Sequence, residues 1–317
     1  MSTIEVRVAA KVSEADGICS YELVPVDGAP LPPFAPGAHI DVHLGDGLVR
    51  QYSLCNAPQE THRYLIGVLR ETVSRGGSHA MHDLVEAGSV LTIGTPRNHF
   101  PLVTAPHTLL LAGGIGITPI LAMAEALAAQ GASFAMHYCA RSPERAAFRE
   151  RIAASGFARH AHFHYDSGDA AQRLDLAAVL AAPPGSHLYV CGPSGFIDHV
   201  LGAARAQGWP DACLHVEYFG AAAIDASGDQ PFDVKLVSSG QVFTVPAGRT
   251  VLQVLAQQGV AVPYSCEEGV CGTCLTRVLE GVPEHRDLYL TDEERAANDQ
   301  FTPCCSRSRS ALLVLDL

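Results

Sequence analysis

A cluster of cysteines near the C-terminal end constrains this chain more than any other feature of its sequence. Cys266, Cys271 and Cys274 are spaced C-x4-C-x2-C, and Cys304 follows further along the chain. This is the plant-type spacing of a [2Fe–2S] cluster, in which a short loop supplies three thiolates and a distant segment supplies the fourth. The spacing therefore predicts these four cysteines as the ligands of an iron–sulfur cluster.

Zinc and disulfides are the alternative explanations for this pattern. A zinc site usually joins two separated C-x2-C pairs, whereas this loop has one such pair and a longer arm. Ten cysteines in 317 residues are also too few for a disulfide scaffold. Cys305 directly follows Cys304, and because Ser306 and Arg307 come next, we predict that Cys304 is the ligand and Cys305 a packed neighbour.

Composition limits the class of protein. A chain of 317 residues that is 48% hydrophobic is long enough for two or three domains, each with its own core. A formal net charge of −12 argues against a nucleic-acid partner. The N-terminus lacks a basic region followed by an apolar run, and no segment is long and apolar enough to span a membrane. We therefore expect a soluble, cytoplasmic protein.

Residues 1–103 are predicted to form an antiparallel β-barrel. Apolar residues alternate with other residues over 4–8, 40–44, 65–69 and 90–92, and proline and glycine separate these stretches. One short helix is expected near residues 81–87. Several short strands at such spacing are typical of a small barrel.

Residues 104–222 are predicted to form an α/β domain with a parallel sheet. Strands are expected at 108–112, 133–139, 161–165, 187–190 and 213–218. Helices are expected at 120–130, 144–152, 175–180 and 196–206. Such alternation places helices on both faces of a parallel sheet.

The remaining residues are predicted to form a linker and a third domain. Residues 221–230 are small and polar, and we place the linker at 223–230. Residues 231–317 then combine the cysteine loop with strands at 232–237, 242–245, 275–279 and 312–317 and a helix at 251–258. This mixed α+β pattern favours a β-grasp ferredoxin domain.

A polar motif on a barrel strand suggests a flavin site. In Arg50-Gln51-Tyr52-Ser53-Leu54, strand alternation places Arg50 and Tyr52 on one face and Ser53 on the other. Arg50 can hold a phosphate with two hydrogen bonds, Tyr52 offers a flat surface for an isoalloxazine ring, and Ser53 can bond near the reactive flavin nitrogen. Taken alone, the motif is better explained by an exposed arginine on an ordinary strand.

A second motif strengthens the flavin interpretation. Gly76, Gly77 and Ser78 precede the predicted short helix. Glycines that open a helix expose backbone N–H groups, which bind anions, although a glycine pair often marks only a turn. The two motifs together favour a flavin phosphate.

A glycine-rich turn follows the first strand of the α/β region. Gly113-Gly114-Ile115-Gly116-Ile117-Thr118-Pro119 departs from G-x-G-x-x-G because Pro119 occupies the last glycine position. Thr118 is expected to cap the following helix, with Pro119 at its first position. The turn is interpreted as a nicotinamide-dinucleotide site; a purely structural turn is the alternative.

Two further strand ends contribute candidates to the same site. Cys191 and Gly192 end one predicted strand, at the edge where parallel sheets bind ligands. Phe219 follows the last strand of the domain and can cover a flavin face. A core cysteine and a core aromatic are the alternative interpretations.

In this order, the motifs resemble the phthalate dioxygenase reductase family, which includes vanillate O-demethylase reductases. The resemblance covers essentially the whole chain: an FMN barrel, an NAD domain and a C-terminal plant-type [2Fe–2S] ferredoxin domain. It also rests on the stretch Pro96-Arg97-Asn98-His99-Phe100-Pro101-Leu102.

The resemblance implies cofactors and site residues. FMN would be held by Arg50, Tyr52, Ser53, Gly76, Gly77 and Ser78, and the NAD site lined by Gly113, Gly114, Gly116, Thr118, Cys191 and Gly192. Phe219 would lie against the isoalloxazine; Ser53 and Cys191 would lie near the hydride-transfer site, where no side chain need act as acid or base. The family normally takes NADH, but Arg141 can tolerate a 2′-phosphate.

The implied function is that of an NADH-dependent reductase component. It would pass electrons from NADH through FMN to the [2Fe–2S] cluster and on to a Rieske-type terminal oxygenase or O-demethylase, acting as a monomer. The alternative is a ferredoxin-like electron carrier or redox sensor without NADH turnover. FAD in place of FMN also stays open at this point.

Overall fold

The computed structural model describes residues 3–45, 47–220 and 226–317. The chain divides into two compact units, Met1–Phe219 and Gly220–Leu317. The first unit thus contains both the predicted barrel and the predicted α/β region. Part of the predicted linker, residues 223–225, lies outside the described residues.

The first part of unit one is a barrel-like antiparallel sheet. Its strands are β1 (Thr3–Ala15), β2 (Ile18–Pro25), β3 (Ala38–His43), β4 (Val49–Ser53), β5 (Tyr64–Leu69), β6 (Val90–Gly94) and β7 (Arg97–Asn98). Their order is β4-β3-β6-β1-β2-β5, with β7 pairing β3. A bridge between Leu54 and Ile66 joins the two ends. Alternate residues such as Val6 and Val8 point inward and are fully buried, as strand periodicity requires.

The helix of the barrel begins earlier than predicted. Helix α1 (Gly77–Leu84) follows Gly76, whose φ of 91° lies in the left-handed region. Glycine adopts this conformation without the penalty that a Cβ imposes. The predicted range 81–87 missed the first turn because the glycine pair was not included in the helix. The range also extended past Leu84, where the helix ends.

The second part of unit one is a five-stranded parallel sheet. Its strands are β8 (Thr108–Gly113), β9 (Phe134–Ala140), β10 (Ala161–Tyr165), β11 (His187–Gly192) and β12 (Leu214–Tyr218). Its helices are α2 (Ile117–Ala129), α3 (Arg149–Ala154), α4 (Leu176–Val179) and α5 (Ser194–Ala206). The order β10-β9-β8-β11-β12 reverses direction at β8. Ligands of such sheets bind at the carboxyl ends of the strands beside this reversal, here after β8 and β11.

Two local predictions in this region were wrong. The predicted helix at 144–152 is interrupted, because Phe148 has a φ of 60° and only residues from Arg149 onward form α3. Phe148 and Ala147 are instead buried in the core, so tertiary packing overrides the helix propensity of this segment. Thr118 is not a cap: α2 begins at Ile117, after Gly116.

Unit two is a mixed sheet with one main helix. Its elements are β13 (Phe232–Leu236), β14 (Val242–Val245), α6 (Val251–Gln257), β15 (Thr276–Glu280), β16 (Pro283–Glu284), α7 (Asp292–Ala297), β17 (Gln300–Phe301), β18 (Arg307–Ser308) and β19 (Leu312–Leu315). The main sheet has the order β14-β13-β19-β15-β17, and β13 and β19 are parallel. Helix α6 buries Val251 and Leu255 against this sheet. Sequence reasoning missed the short helix α7.

Packing in unit two begins before residue 231. Asp229 lies at the end of the predicted linker, yet it is buried and forms an ion pair with Arg286 at 2.8 Å. It also accepts a hydrogen bond from the backbone N–H of Gly248.

None of the helices among the described residues is both long and apolar enough to cross a membrane.

Candidate functional site

The four predicted cluster cysteines lie together in unit two. The side chain of Cys266 lies close to those of Cys271 and Cys304, and the side chain of Cys304 also lies close to that of Cys274. Cys271, Cys274 and Cys304 are buried. Among the described residues, no group of three or more histidine, cysteine, aspartate or glutamate side chains is arranged to hold a single metal ion. Four neighbouring thiols are nevertheless the donor set that a [2Fe–2S] cluster divides between two irons.

Backbone geometry in the cysteine loop supports this use. The N–H groups of Glu268 and Thr273 point at the sulfurs of Cys266 and Cys271, at 3.4 and 3.5 Å. Such N–H groups stabilise negative charge on sulfur ligands. The loop reaches this conformation through glycines with positive φ and through Glu267, whose φ is 57°.

Gly269 and Gly272 are required by close contacts as well as by their backbone angles. Their φ values are 73° and 66°. A Cβ on Gly269 would lie 2.4 Å from Cys305 Sγ, and a Cβ on Gly272 would lie 2.2 Å from the ring of Tyr289. Any side chain at either position would force the loop away from its neighbours.

Cys305 has different surroundings from the four grouped cysteines. Its sulfur lies 3.2 Å from Thr302 Oγ1 and against Gly269, and its side chain interacts with that of Cys304. This arrangement supports Cys304 as the fourth ligand and Cys305 as a packed neighbour.

In unit one, the structure brings the two predicted flavin motifs together. A Cβ on Gly77 would lie 2.3 Å from Cγ of Arg50, so the start of α1 packs directly on the arginine stem. The Arg50 guanidinium donates to the carbonyls of Val49 and Arg75, at 2.7 and 2.8 Å. A guanidinium beside a glycine-initiated helix provides the donors that a phosphate needs.

The other flavin candidates occupy less open positions. Tyr52 packs partly against the barrel core, and burial raises the pKa of its hydroxyl. Ser78 Oγ lies 3.0 Å from Ser74 Oγ and accepts a hydrogen bond from the N–H of Glu71. These contacts order the loop that precedes α1.

Ser53 is linked to a residue that the sequence reasoning did not place in the site. Its hydroxyl donates to Glu217 Oε2 at 3.3 Å. Burial raises the pKa of the Glu217 carboxyl to about 8, while the Ser53 hydrogen bond acts in the opposite direction. Glu217 opens the stretch Glu217-Tyr218-Phe219, which also matches the family, but nothing in the sequence placed its carboxyl beside Ser53.

The glycine turn after β8 packs closely against the end of β11. A Cβ on Gly116 would lie 2.3 Å from the carbonyl oxygen of Cys191, and a Cβ on Gly192 would lie 3.0 Å from Cα of Gly113. Gly114 has a positive φ of 54°. The two strand ends therefore form one backbone-lined edge, where a dinucleotide can approach closely.

The remaining four candidate residues are placed as follows. Thr118 is buried and its hydroxyl donates to the Ile115 carbonyl at 3.1 Å, so it shapes the turn from inside. Cys191 is buried, which raises the pKa of its thiol well above the usual value. Phe219 is 40% exposed, and Arg141 is exposed just beyond β9. The roles of these residues toward cofactors stay predictions.

Two segments match known domain families. Residues 110–201 match the oxidoreductase NAD-binding domain. Residues 234–309 match the 2Fe-2S iron-sulfur cluster binding domain. The first contains the glycine turn and the second contains all four grouped cysteines.

Full-length relatives decide the family. The chain is 58% identical over 317 residues to a vanillate O-demethylase oxidoreductase of Pseudomonas putida, covering 99% of this chain and 100% of that protein. It is 41% identical to phthalate dioxygenase reductase of Burkholderia cepacia, covering 99% and 97%. A solved phthalate dioxygenase reductase, described as a modular structure for electron transfer from pyridine nucleotides to [2Fe-2S], matches with a TM-score of 0.78 and 41% identity over 100% of this chain and 98% of that one. The chain belongs to the phthalate dioxygenase reductase family.

Membership of the phthalate dioxygenase reductase family confirms the predicted fold class. It comprises an antiparallel β-barrel flavin domain, an α/β nucleotide domain and a β-grasp ferredoxin domain. The family also supports FMN, NADH and a [2Fe–2S] cluster as the cofactors. The residues present fit these groups, since four thiols, a guanidinium beside a helix start and a glycine-lined strand edge are the donor sets they require.

Proposed function

We propose that this protein is the NADH-dependent reductase component of a Rieske-type oxygenase that removes the methyl group of a methoxylated aromatic acid such as vanillate. The reductase role is that of the family, and the substrate class follows the name of the relative at 58% identity, vanillate O-demethylase oxidoreductase. The observation that carries the proposal is the four-cysteine group of unit two, because it gives the chain an outlet for single electrons.

In this proposal each part of the chain positions a cofactor. When bound, FMN accepts a hydride from NADH and releases its electrons singly toward the cluster. Arg50 and the start of α1 hold the flavin phosphate, while Gly113, Gly116 and Gly192 allow the dinucleotide to lie against the backbone. The hydrogen bond to Glu217 fixes the orientation of the Ser53 hydroxyl at the end of barrel strand β4. No side chain of the chain is needed as an acid or base in the hydride step.

The remaining features of the proposal concern cellular context. We propose a monomer, because each cofactor has its donor set within one chain. A cytoplasmic location follows from dependence on NADH, which cytoplasmic metabolism regenerates.

The alternative of an electron carrier without NADH turnover is disfavoured by the intact glycine turn of the NAD-binding domain.

Reconstitution with the terminal oxygenase of the same organism tests the proposal. The complete mixture should oxidise NADH and release formaldehyde from vanillate in a one-to-one ratio, and omission of the reductase should abolish both. A matched reaction with phthalate, which has no methoxy group, should release none. Failure with vanillate, combined with turnover of a substrate that has no methoxy group, would overturn the proposed substrate class.

A further inference from the structure

Asp287 is a buried carboxylate in unit two that is only 3% exposed. It is not one of the four predicted cluster ligands. Burying a carboxylate is unfavourable unless hydrogen bonds and charges compensate for lost hydration. The hydrogen bonds and neighbouring charges of Asp287 therefore indicate the role of this buried carboxylate.

One side of Asp287 packs on the loop that carries three of the cysteines. A Cβ on Gly269 would lie 2.9 Å from both Cα and Cβ of Asp287. The N–H of Leu288 donates to the Gly269 carbonyl at 3.0 Å. Two residues on, the ring of Tyr289 occupies the space that a side chain on Gly272 would need. The segment that begins at Asp287 therefore braces both glycines of the loop.

The other side of Asp287 is bonded to the segment that carries Cys304. Ser306 Oγ donates to Asp287 Oδ1 at 3.3 Å and lies 3.0 Å from Thr302 Oγ1. Because a carboxylate only accepts, the Ser306 proton points to Asp287, and Thr302 must donate to Ser306. The Cys305 thiol, 3.2 Å from Thr302 Oγ1, is then left to donate to Thr302. A directed chain of hydrogen bonds thus runs from the residue beside Cys304 to Asp287.

The remaining neighbours compensate the charge only in part. Asp287 Oδ2 accepts from the N–H groups of Tyr289 and Leu290, at 3.2 and 2.8 Å. The guanidinium of Arg295 lies 3.9 Å from Oδ2, and the imidazole of His285 lies 3.7 Å from Oδ1. Arg295 is itself partly exposed and also pairs with Asp292, so solvent weakens its effect on the buried carboxylate.

We propose that Asp287 is a positioning residue for the [2Fe–2S] site. It ties the three-cysteine loop to the Cys304 segment, and its negative charge lowers the reduction potential of the cluster. The inference rests on the proposed function, since it requires the [2Fe–2S] cluster. Net charge and hydrogen bonds near the sulfurs are principal determinants of such potentials. A buried negative charge opposes addition of an electron more strongly than an exposed one does.

The test is a redox titration of the full-length holoprotein. Asp287→Asn removes the charge while preserving shape, and we expect the midpoint potential of the cluster to rise. Glu293→Gln removes an acidic charge from an exposed residue of helix α7, and its potential should equal that of the wild type. An unchanged potential in Asp287→Asn with full cluster content would overturn the tuning role.

A second variant separates positioning from charge and covers poor folding of Asp287→Asn. Ser306→Ala keeps the carboxylate but breaks its link to the Cys304 segment. Loss of cluster absorbance to an iron chelator should be roughly tenfold faster than in the wild type, at the lower end of effects from residues that support metal ligands. An unchanged rate would overturn the positioning role. A wild-type protein whose spectrum shows no [2Fe–2S] cluster would instead refute the proposed function.

Discussion

The hydroxyl of Ser53 donates a hydrogen bond to the carboxyl of Glu217 across 3.3 Å. This contact joins the end of barrel strand β4 to β12 of the parallel sheet. Because burial raises the pKa of Glu217 to about 8, the carboxyl is mostly protonated at neutral pH. This contact between the flavin barrel and the nucleotide sheet is therefore made by two groups that are uncharged at neutral pH. The dependence of protein stability on pH tests this assignment.

The first prediction concerns this pH dependence. An unfolded glutamate titrates near 4.5 and folded Glu217 near 8, so between these values only the folded protein keeps the proton. Stability should therefore fall as pH rises through this range, by at most about 1.4 kcal/mol per pH unit from this group. Glu217→Gln, which resembles the protonated form, should flatten the profile in urea titrations. The exposed control Glu150→Gln should keep the wild-type slope, and a wild-type slope in Glu217→Gln would contradict the assignment.

The second prediction concerns the flavin phosphate. Arg50→Ala removes a charge-assisted phosphate contact worth about 1.5–3 kcal/mol. Flavin affinity should fall roughly tenfold to a hundredfold, as measured from the fluorescence of flavin released on dilution. Arg145→Ala alters an exposed arginine of the α/β region and should leave affinity unchanged. Equal flavin retention in both variants would remove Arg50 from the site.

The third prediction compares two glycines of the parallel-sheet region. Gly116→Ala would place a Cβ 2.3 Å from the Cys191 carbonyl oxygen, which should cost about 1–3 kcal/mol of stability and weaken NADH binding. Gly202→Ala, in the middle of α5 with open space around it, should instead stabilise by up to about 1 kcal/mol. Thermal unfolding and NADH titration provide both readings. A Gly116→Ala variant as stable as the wild type would show that the strand ends are not so closely packed.

The fourth prediction concerns the cluster ligands. Cys304→Ser should lose or destabilise the [2Fe–2S] centre, because Cys304 contacts both Cys266 and Cys274. Cys305→Ser should retain the centre, because its sulfur lies against Thr302 and Gly269. Visible absorption and iron content distinguish the variants. If the two effects are reversed, the ligand assignment is wrong.

Much of this architecture could be predicted because its signals are local. The cysteine spacing alone predicts the cluster type, and the alternation of strands and helices predicts the parallel sheet. The glycine motifs were found because backbone conformation limits which residue can occupy them; Gly76, for example, has a φ of 91°.

The missed features depend on contacts between distant segments. Glu217 bonds Ser53 across 164 positions of sequence, and a single sequence contains no signal of that pairing. Phe148 interrupts a stretch of good helix formers because it is buried in the core. Asp287 appears in the sequence as one acidic residue among many, and only burial and its bond to Ser306 distinguish it.

The central claim is that unit one transfers electrons from NADH to flavin and unit two releases them singly. A chain that ends at Ala226 measures this directly, because it keeps the first unit and lacks all four grouped cysteines. It should fold, retain FMN and oxidise NADH with ferricyanide at the full-length rate, while reduction of cytochrome c and support of the oxygenase should be lost. An equal rate of oxygenase turnover with the shortened chain would contradict the account, since the cluster would then lie outside the electron path.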